Sequence, residues 1–189
     1  MWLTIESEVF MIRKLHIGGK IAAPGWEIMD SIPGPHVDHL GNANDLSRFS
    51  DYSFNEIYAS HVLEHFDYSR ELLSTLREWN RVLKTLGRLF VSVPDLDVLA
   101  KLFLAKDLLT TEERFFVMRM IFGGHTDAYD YHLVGLNEDF LIEYLGAAGF
   151  GHITKVEKFD IFQDTSSMMF KGELISLNLM AKKVPADNV

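Results

Sequence analysis

Two short stretches of this chain bring titratable side chains together. In His61-Val62-Leu63-Glu64-His65, two imidazoles four residues apart bracket a glutamate. On one helical face that spacing could hold zinc between the histidines, with the glutamate as a base. The second stretch runs from His125 through Asp127, Tyr129, Asp130 and Tyr131 to His132. It could supply a general base, because histidine titrates near neutrality, together with hydrogen bonds to a substrate. It reads equally well as a solvated loop with packed aromatics. Gly18-Gly19 is a turn at which the backbone can approach a ligand closely, although Lys20 stands where a second spaced glycine would be. A plain turn is the simpler reading of that pair. Asp30 is placed either to accept hydrogen bonds from ribose hydroxyls or to serve as an ordinary turn aspartate.

The elements that must position these residues alternate between strand and helix. Residues 12–17 and 25–30 read as short strands, and His36 to Leu40 as a third. Glu56 to Ser60 is a fourth, and a polar turn holding His61, Glu64 and His65 follows it. Leu72, Leu73, Leu76, Trp79, Leu83 and Leu86 form one apolar stripe at helical spacing, which predicts a helix that Gly87 ends. Asp67 or Ser69 is its expected cap. Leu89 to Val93, before Pro94, reads as a central strand buried on both faces. Residues 57–97 are thus one βαβ unit, implying a parallel sheet with ligands at the carboxyl ends of its strands. In this frame the H-x-x-E-H stretch is a turn after a buried strand, which argues against a zinc hydrolase, and no metal ligand set is expected. Residues 96–122 are expected to be helical in two pieces, with Thr110 and Glu113 as a capping box. The second piece, RFFVMRMIF, is apolar nearly all round, as in a deeply buried helix or a homodimer contact. Asn137 should cap a helix ending at Gly149, residues 152–162 form a weak strand, and Ile175, Leu177 and Leu179 share one face of a last strand. The excursion Gln163 to Gly172 joins these strands and predicts antiparallel pairing at the sheet edge.

The chain has 189 residues, 48% of them hydrophobic, enough for one domain with a proper core at about 12–183. Its net charge of −9, from 18 basic and 27 acidic residues, makes nucleic acid an unexpected partner. It has no cysteine, so disulfides and thiolate chemistry are absent. The N-terminal stretch MWLTIESEVFMIRK lacks a signal-peptide layout, and no apolar run approaches the ~18 residues of a membrane span. A cytoplasmic location is the expectation.

Several of these segments, taken together, resemble the class I S-adenosylmethionine-dependent methyltransferases, and the type 11 group of small methyltransferases in particular. The resemblance rests on the strand, glycine and Gly25-Trp26 to Asp30 pattern. It rests also on Ser53-Phe54-Asn55-Glu56-Ile57 through Val62-Leu63-Glu64-His65, similar to the family's SFDxIxxxxVLEH, with Asn55 for the usual aspartate. The third part is Arg81-Val82-Leu83-Lys84 through Gly87 to Val93-Pro94-Asp95, similar to RVLKPGGxLxxSVPD, with Thr85-Leu86 replacing Pro-Gly. The resemblance implies an α/β fold: a Rossmann-like seven-stranded methyltransferase sheet in the order 3-2-1-4-5-7-6. That sheet is mostly parallel with an antiparallel last strand, and here has shortened first crossovers. It implies S-adenosyl-L-methionine as cofactor. Gly18 and Gly19 would back its methionine part and Asp30 its ribose. Asn42, Ala43 and Asp45 would edge the adenine, and Ser60 and His61 would line the cofactor after the fourth strand. The segment IFGGHTDAYDYHLVGLNEDFL is similar to a subgroup found near surface-polysaccharide genes. The expected reaction is methyl transfer to an oxygen or nitrogen of a small-molecule or glycan-type acceptor. His132 or His125 would be the base, oriented by Asp127. The alternative is a catalytically silent binding or subunit protein on the same fold. A zinc hydrolase working through His61, Glu64 and His65 is less favoured.

Overall fold

In the computed structural model, residues 12–185 are described. Alternation along short apolar strands builds one sheet. The strands are β1 (Lys14–Ile17), β2 (Glu27–Asp30), β3 (His39–Leu40), β4 (Phe54–Ser60) and β5 (Leu83–Pro94). Helices α1 (Leu72–Val82), α2 (Leu96–Leu104), α3 (Thr111–Phe122) and α4 (Glu138–Ala147) accompany them, and β6 (Phe150–Val156) follows. A two-residue-strand hairpin, β7 (Met169–Phe170) and β8 (Glu173–Leu174), leads into β9 (Ser176–Lys183). The sheet order is β3-β2-β1-β4-β5-β9-β6, parallel from β3 to β5, with β9 antiparallel to both of its neighbours. This is the methyltransferase sheet expected from the resemblance.

The period of two along each strand divides the sheet into unlike faces. Leu15, Ile17, Ile57, Ala59, Leu89, Val91, Leu177 and Leu179 point to one face, where Leu72, Leu76 and Trp79 of α1 and Leu141 and Leu145 of α4 close the main core. The opposite face carries His16, Tyr58 and Phe90 in one cross-strand row. Lys14, Glu56 and Arg88 form the row beside it, with both cations paired to the Glu56 carboxylate. Residues 18–26, 31–38 and 41–53 contain no helix, so these crossovers bring none to cover that second face. The segment after β6 covers the aromatic row instead. The Phe162 ring lies 4.1 Å from the His16 ring and 4.7 Å from Tyr58, and Phe159 lies 5.4 Å from Tyr58. Hydrogen bonds fasten this strap: the Tyr58 hydroxyl donates to Asp164 Oδ2 at 2.8 Å, and Asn178 Nδ2 donates to the carbonyls of Glu157 and Ser166. Residues 157–162 are therefore cover, and the strand expected at 152–162 is β6, ending at Val156.

Other boundaries depart from the sequence reading for local reasons. Helix α1 stops at Val82, and Leu83 passes directly into β5, where it is fully buried. Leu86 turns into solvent at φ +62°, the position the family fills with glycine. Neither Asp67 nor Ser69 caps α1; the Asp67 side chain holds Ser69, and its carbonyl accepts from Glu71 and Leu72. Helix α3 has the expected Thr110–Glu113 capping box, but it is not deeply buried. Among its side chains Val117 is buried, while Phe115 and Phe122 are more than half exposed. Helix α4 is capped by Asn137, whose side chain accepts from the Phe140 amide at 3.0 Å.

Candidate active site

Four strand ends and two loops meet at the carboxyl edge of the sheet. Gly18 follows β1 at φ +75°, and a side chain there would meet Val62 Cγ2 at 2.8 Å, so only glycine lets the turn lie against the β4 end. Gly19 faces the other way, against the His16 ring. Asp30 ends β2 and is 5% exposed. Its Oδ1 accepts from the Ile32 amide at 2.8 Å, and its Oδ2 is 2.5 Å from Lys20 Nζ. The loop after β3 is set by α1: the Trp79 indole donates to the Ala43 carbonyl at 2.7 Å, and Arg81 reaches the carbonyls of Leu46 and Phe49. His61 takes φ +55°, a left-handed conformation at the end of β4, with its amide on the Ser92 carbonyl at 2.9 Å. Its Nε2 lies 2.9 Å from Ser176 Oγ.

The loop from Gly123 to Gly135 closes the site. Leu133 and Val134 donate their amides to the Glu64 carbonyl, at 2.7 and 3.3 Å, which ties the loop to the turn after β4. Asp130 folds the loop on itself by accepting from Gly124, Thr126 N and Thr126 Oγ1. The Thr126 hydroxyl holds its carboxyl below the usual carboxylate range, and the backbone donors add to this against the opposing effect of burial.

These parts enclose a cavity of about 450 Å³, within the range of small-molecule sites. Of the residues expected at a cofactor site, Gly18, Asp30, Asn42, Ala43 and His61 line it together, and Asp127 lines it from the loop above. Gly19, Asp45 and Ser60 lie outside that lining. Asp45 is exposed and holds Ser47, and the Ser60 hydroxyl is buried without a hydrogen-bond partner among the described residues. His132 borders an adjoining cavity, which shares His61 and Asp130 with the first. His125 is exposed, stacks on Tyr131 at 4.1 Å and engages the Phe122 carbonyl. Asp127 accepts from the Tyr129 amide and orients neither histidine through a hydrogen bond. Lys20, Val62, His65, Tyr129 and Asp130 also line the cavity, and of these the sequence reading gave Lys20 and Val62 no role. For Lys20 the available signal was its place in the glycine turn.

Beneath the cavity, Glu64 is 1% exposed. Burial pushes its carboxyl up, but the imidazoles of His61, His65 and His132 outweigh burial and hold it below the ordinary range. Burial lowers His132 against the pull of Glu64. The turn is a single 3₁₀ turn, Leu63–His65, and not the long helix a zinc hydrolase motif needs.

The sheet order and the ligand-sized cavity at its carboxyl edge define the class I methyltransferase fold. Residues 31–91 match the type 11 family described as a methyltransferase domain. No curated protein matches the sequence. Among solved structures, the chain is similar to the CurJ carbon methyltransferase (15% identity, TM-score 0.56), covering 92% of this chain and 49% of that one, so it spans about half of that protein's length. It is similar to a possible histamine N-methyltransferase from Thermotoga maritima, with 17% identity, TM-score 0.53, and coverage of 90% of this chain and 82% of that one. It is also similar to a methyltransferase from Archaeoglobus fulgidus (16% identity, TM-score 0.56), covering 92% of this chain and 87% of that one. Family match and fold together make the chain similar to the class I S-adenosylmethionine-dependent methyltransferases, whose cofactor is S-adenosylmethionine. The residues present fit that cofactor. The turn at Gly18 leaves its backbone bare toward the cavity wall, and a buried carboxylate, Asp30, stands at the end of β2.

Proposed function

We propose that the protein transfers a methyl group from S-adenosylmethionine to an oxygen or nitrogen of a small-molecule or glycan acceptor. The observation that carries this is the convergence of Gly18, Asp30, Asn42, Ala43 and His61 on one cavity, from four separate strand ends. When bound, the cofactor supplies a sulfonium methyl that passes to the acceptor lone pair as the C–S electron pair returns to sulfur. Asp30 offers carboxylate oxygens to the ribose hydroxyls. Asn42 and Ala43 edge the base, and the Gly18 turn accepts the methionine end. His61 and Val62 form the wall beside the reacting groups. On the acceptor side, Asp127 faces the main cavity and His132 the adjoining one. His132 would take the acceptor's proton, while His125 braces the loop through Tyr131. Catalysis would rest mainly on alignment of donor and acceptor.

One observation favours the silent-fold reading. Lys20 occupies Asp30 Oδ2, an atom a ribose would use. Thermal unfolding with S-adenosylhomocysteine separates the two readings, because a ligand that binds the native state alone raises its stability. A saturable rise in Tm is expected. No shift at millimolar ligand would leave the silent fold.

A further inference from the structure

Glu64, His65 and His132 each bring a ligand-type atom within 4.8 Å of the others. We infer that these three side chains, with His61 beside them, bind one divalent first-row transition ion at the boundary between the two cavities.

The strongest reason is the state of Glu64. Both of its carboxylate oxygens are buried, and neither has a hydrogen-bond partner among the described residues. A buried carboxylate without donors is unfavourable unless a cation or proton meets it. His61 Nδ1 is 3.2 Å from Oε1 but is not aligned for a hydrogen bond. The other nitrogen of His61 faces Ser176 Oγ, and that hydroxyl donates its single proton to the Thr165 carbonyl at 2.9 Å. Ser176 must then accept from His61 Nε2–H, which leaves Nδ1 as the His61 nitrogen that faces the carboxylate, where a proton or a shared cation can sit between them.

The histidines are arranged in the same sense. His65 Nδ1 lies 3.1 Å from the Tyr131 carbonyl, which takes its proton and leaves the Nε2 lone pair free. A ligating imidazole is commonly oriented by such a backbone carbonyl. The His65 and His132 rings stand 5.1 Å apart and nearly perpendicular. Metal–donor distances near 2.0–2.2 Å imply donor separations of about 3–4 Å, so a contraction of at most about 1–2 Å closes the site. One carboxylate with two or three imidazoles suits Zn²⁺, Mn²⁺, Fe²⁺ or Co²⁺, not the all-oxygen preference of Ca²⁺.

Position suggests the use. His65 lines the cofactor cavity, and His132 lines the adjoining one. An ion between them would hold an acceptor oxygen and ease loss of its proton. That role rests on the methyltransferase reading and narrows the acceptor to one bearing a hydroxyl. The site itself does not depend on that reading, so it is tested without cofactor. Full-length protein stripped with chelator is titrated with Co²⁺ alone. One ion per chain should bind, with visible d–d absorption that Zn²⁺ bleaches by displacement. His132→Ala and Glu64→Gln should each weaken Co²⁺ binding at least tenfold, whereas His152→Ala, in β6, should not. Should Glu64→Gln fail to fold by circular dichroism, His65→Ala replaces it with the same expectation. No Co²⁺ uptake at 1 mM, or uptake indifferent to His65 and His132, would leave Glu64 as a buried partner of a charged His61 and overturn the inference.

Discussion

His16 shows how one residue reports on an unusual covering of the sheet. Its ring lies 6% exposed beneath Phe162 and beside Tyr58, and burial lowers its pKa from 6.5 to about 4, against the opposing pull of Asp164 and Asp30. The folded state therefore resists a proton that the unfolded chain accepts. Between pH 6.5 and 4 the unfolded state binds more protons, so stability falls as pH drops through that window, by at most about 3 kcal/mol. Above pH 6.5 this contribution is fully present. Chemical denaturation at pH 7 and pH 4.5 should show the loss in the natural protein. His16→Phe should flatten it, and an equal pH slope in both proteins would contradict the argument. His61 and Glu64 were legible in the sequence as a polar turn after a strand. Their partners were not: Ser176 and His132 meet them only through the sheet order and the 123–135 loop, which no local spacing encodes.

At the scale of elements, strands were legible wherever apolar residues alternate or run together, as in β4 and β5. The end of α1 was not, because Leu83 and Leu86 continue the helical spacing while serving a strand and a solvent-exposed turn. Leu86 holds a left-handed conformation that costs a branched residue about 1 kcal/mol or more, and its 59% exposure means little packing would be lost. Leu86→Gly should thus be neutral to stabilising by up to about 1 kcal/mol in denaturant titration. A loss of 1 kcal/mol or more would mean that the turn is not strained. The strap after β6 is the less readable element, since Phe159 and Phe162 pack on residues a hundred or more positions earlier. Phe162→Ala should cost about 2–3 kcal/mol, below the range for a fully buried phenylalanine, because this residue is only half-buried. A cost below 1 kcal/mol would show that the strap does not stabilise the sheet.

At the scale of the molecule, the fold keeps the sheet order of the class I methyltransferase fold while dispensing with helices in its first three crossovers. Two devices make this workable. Helix α1 reaches across with Trp79 and Arg81 to hold the loop after β3, and the strap after β6 covers the face the crossovers leave bare. The glycine turn is short as a result, and Lys20 from that turn sits on Asp30. Whether this edge still receives the cofactor is therefore the central question, and Asp30 is the residue on which it turns. Hydrogen bonds to a charged partner contribute about 1.5–3 kcal/mol, a factor of ten or more in affinity. The most direct measurement is a calorimetric titration of S-adenosylhomocysteine into the natural protein and into Asp30→Asn. The account predicts one site per chain, weakened at least tenfold by the substitution. No binding at millimolar ligand, or equal affinity in both proteins, would contradict it.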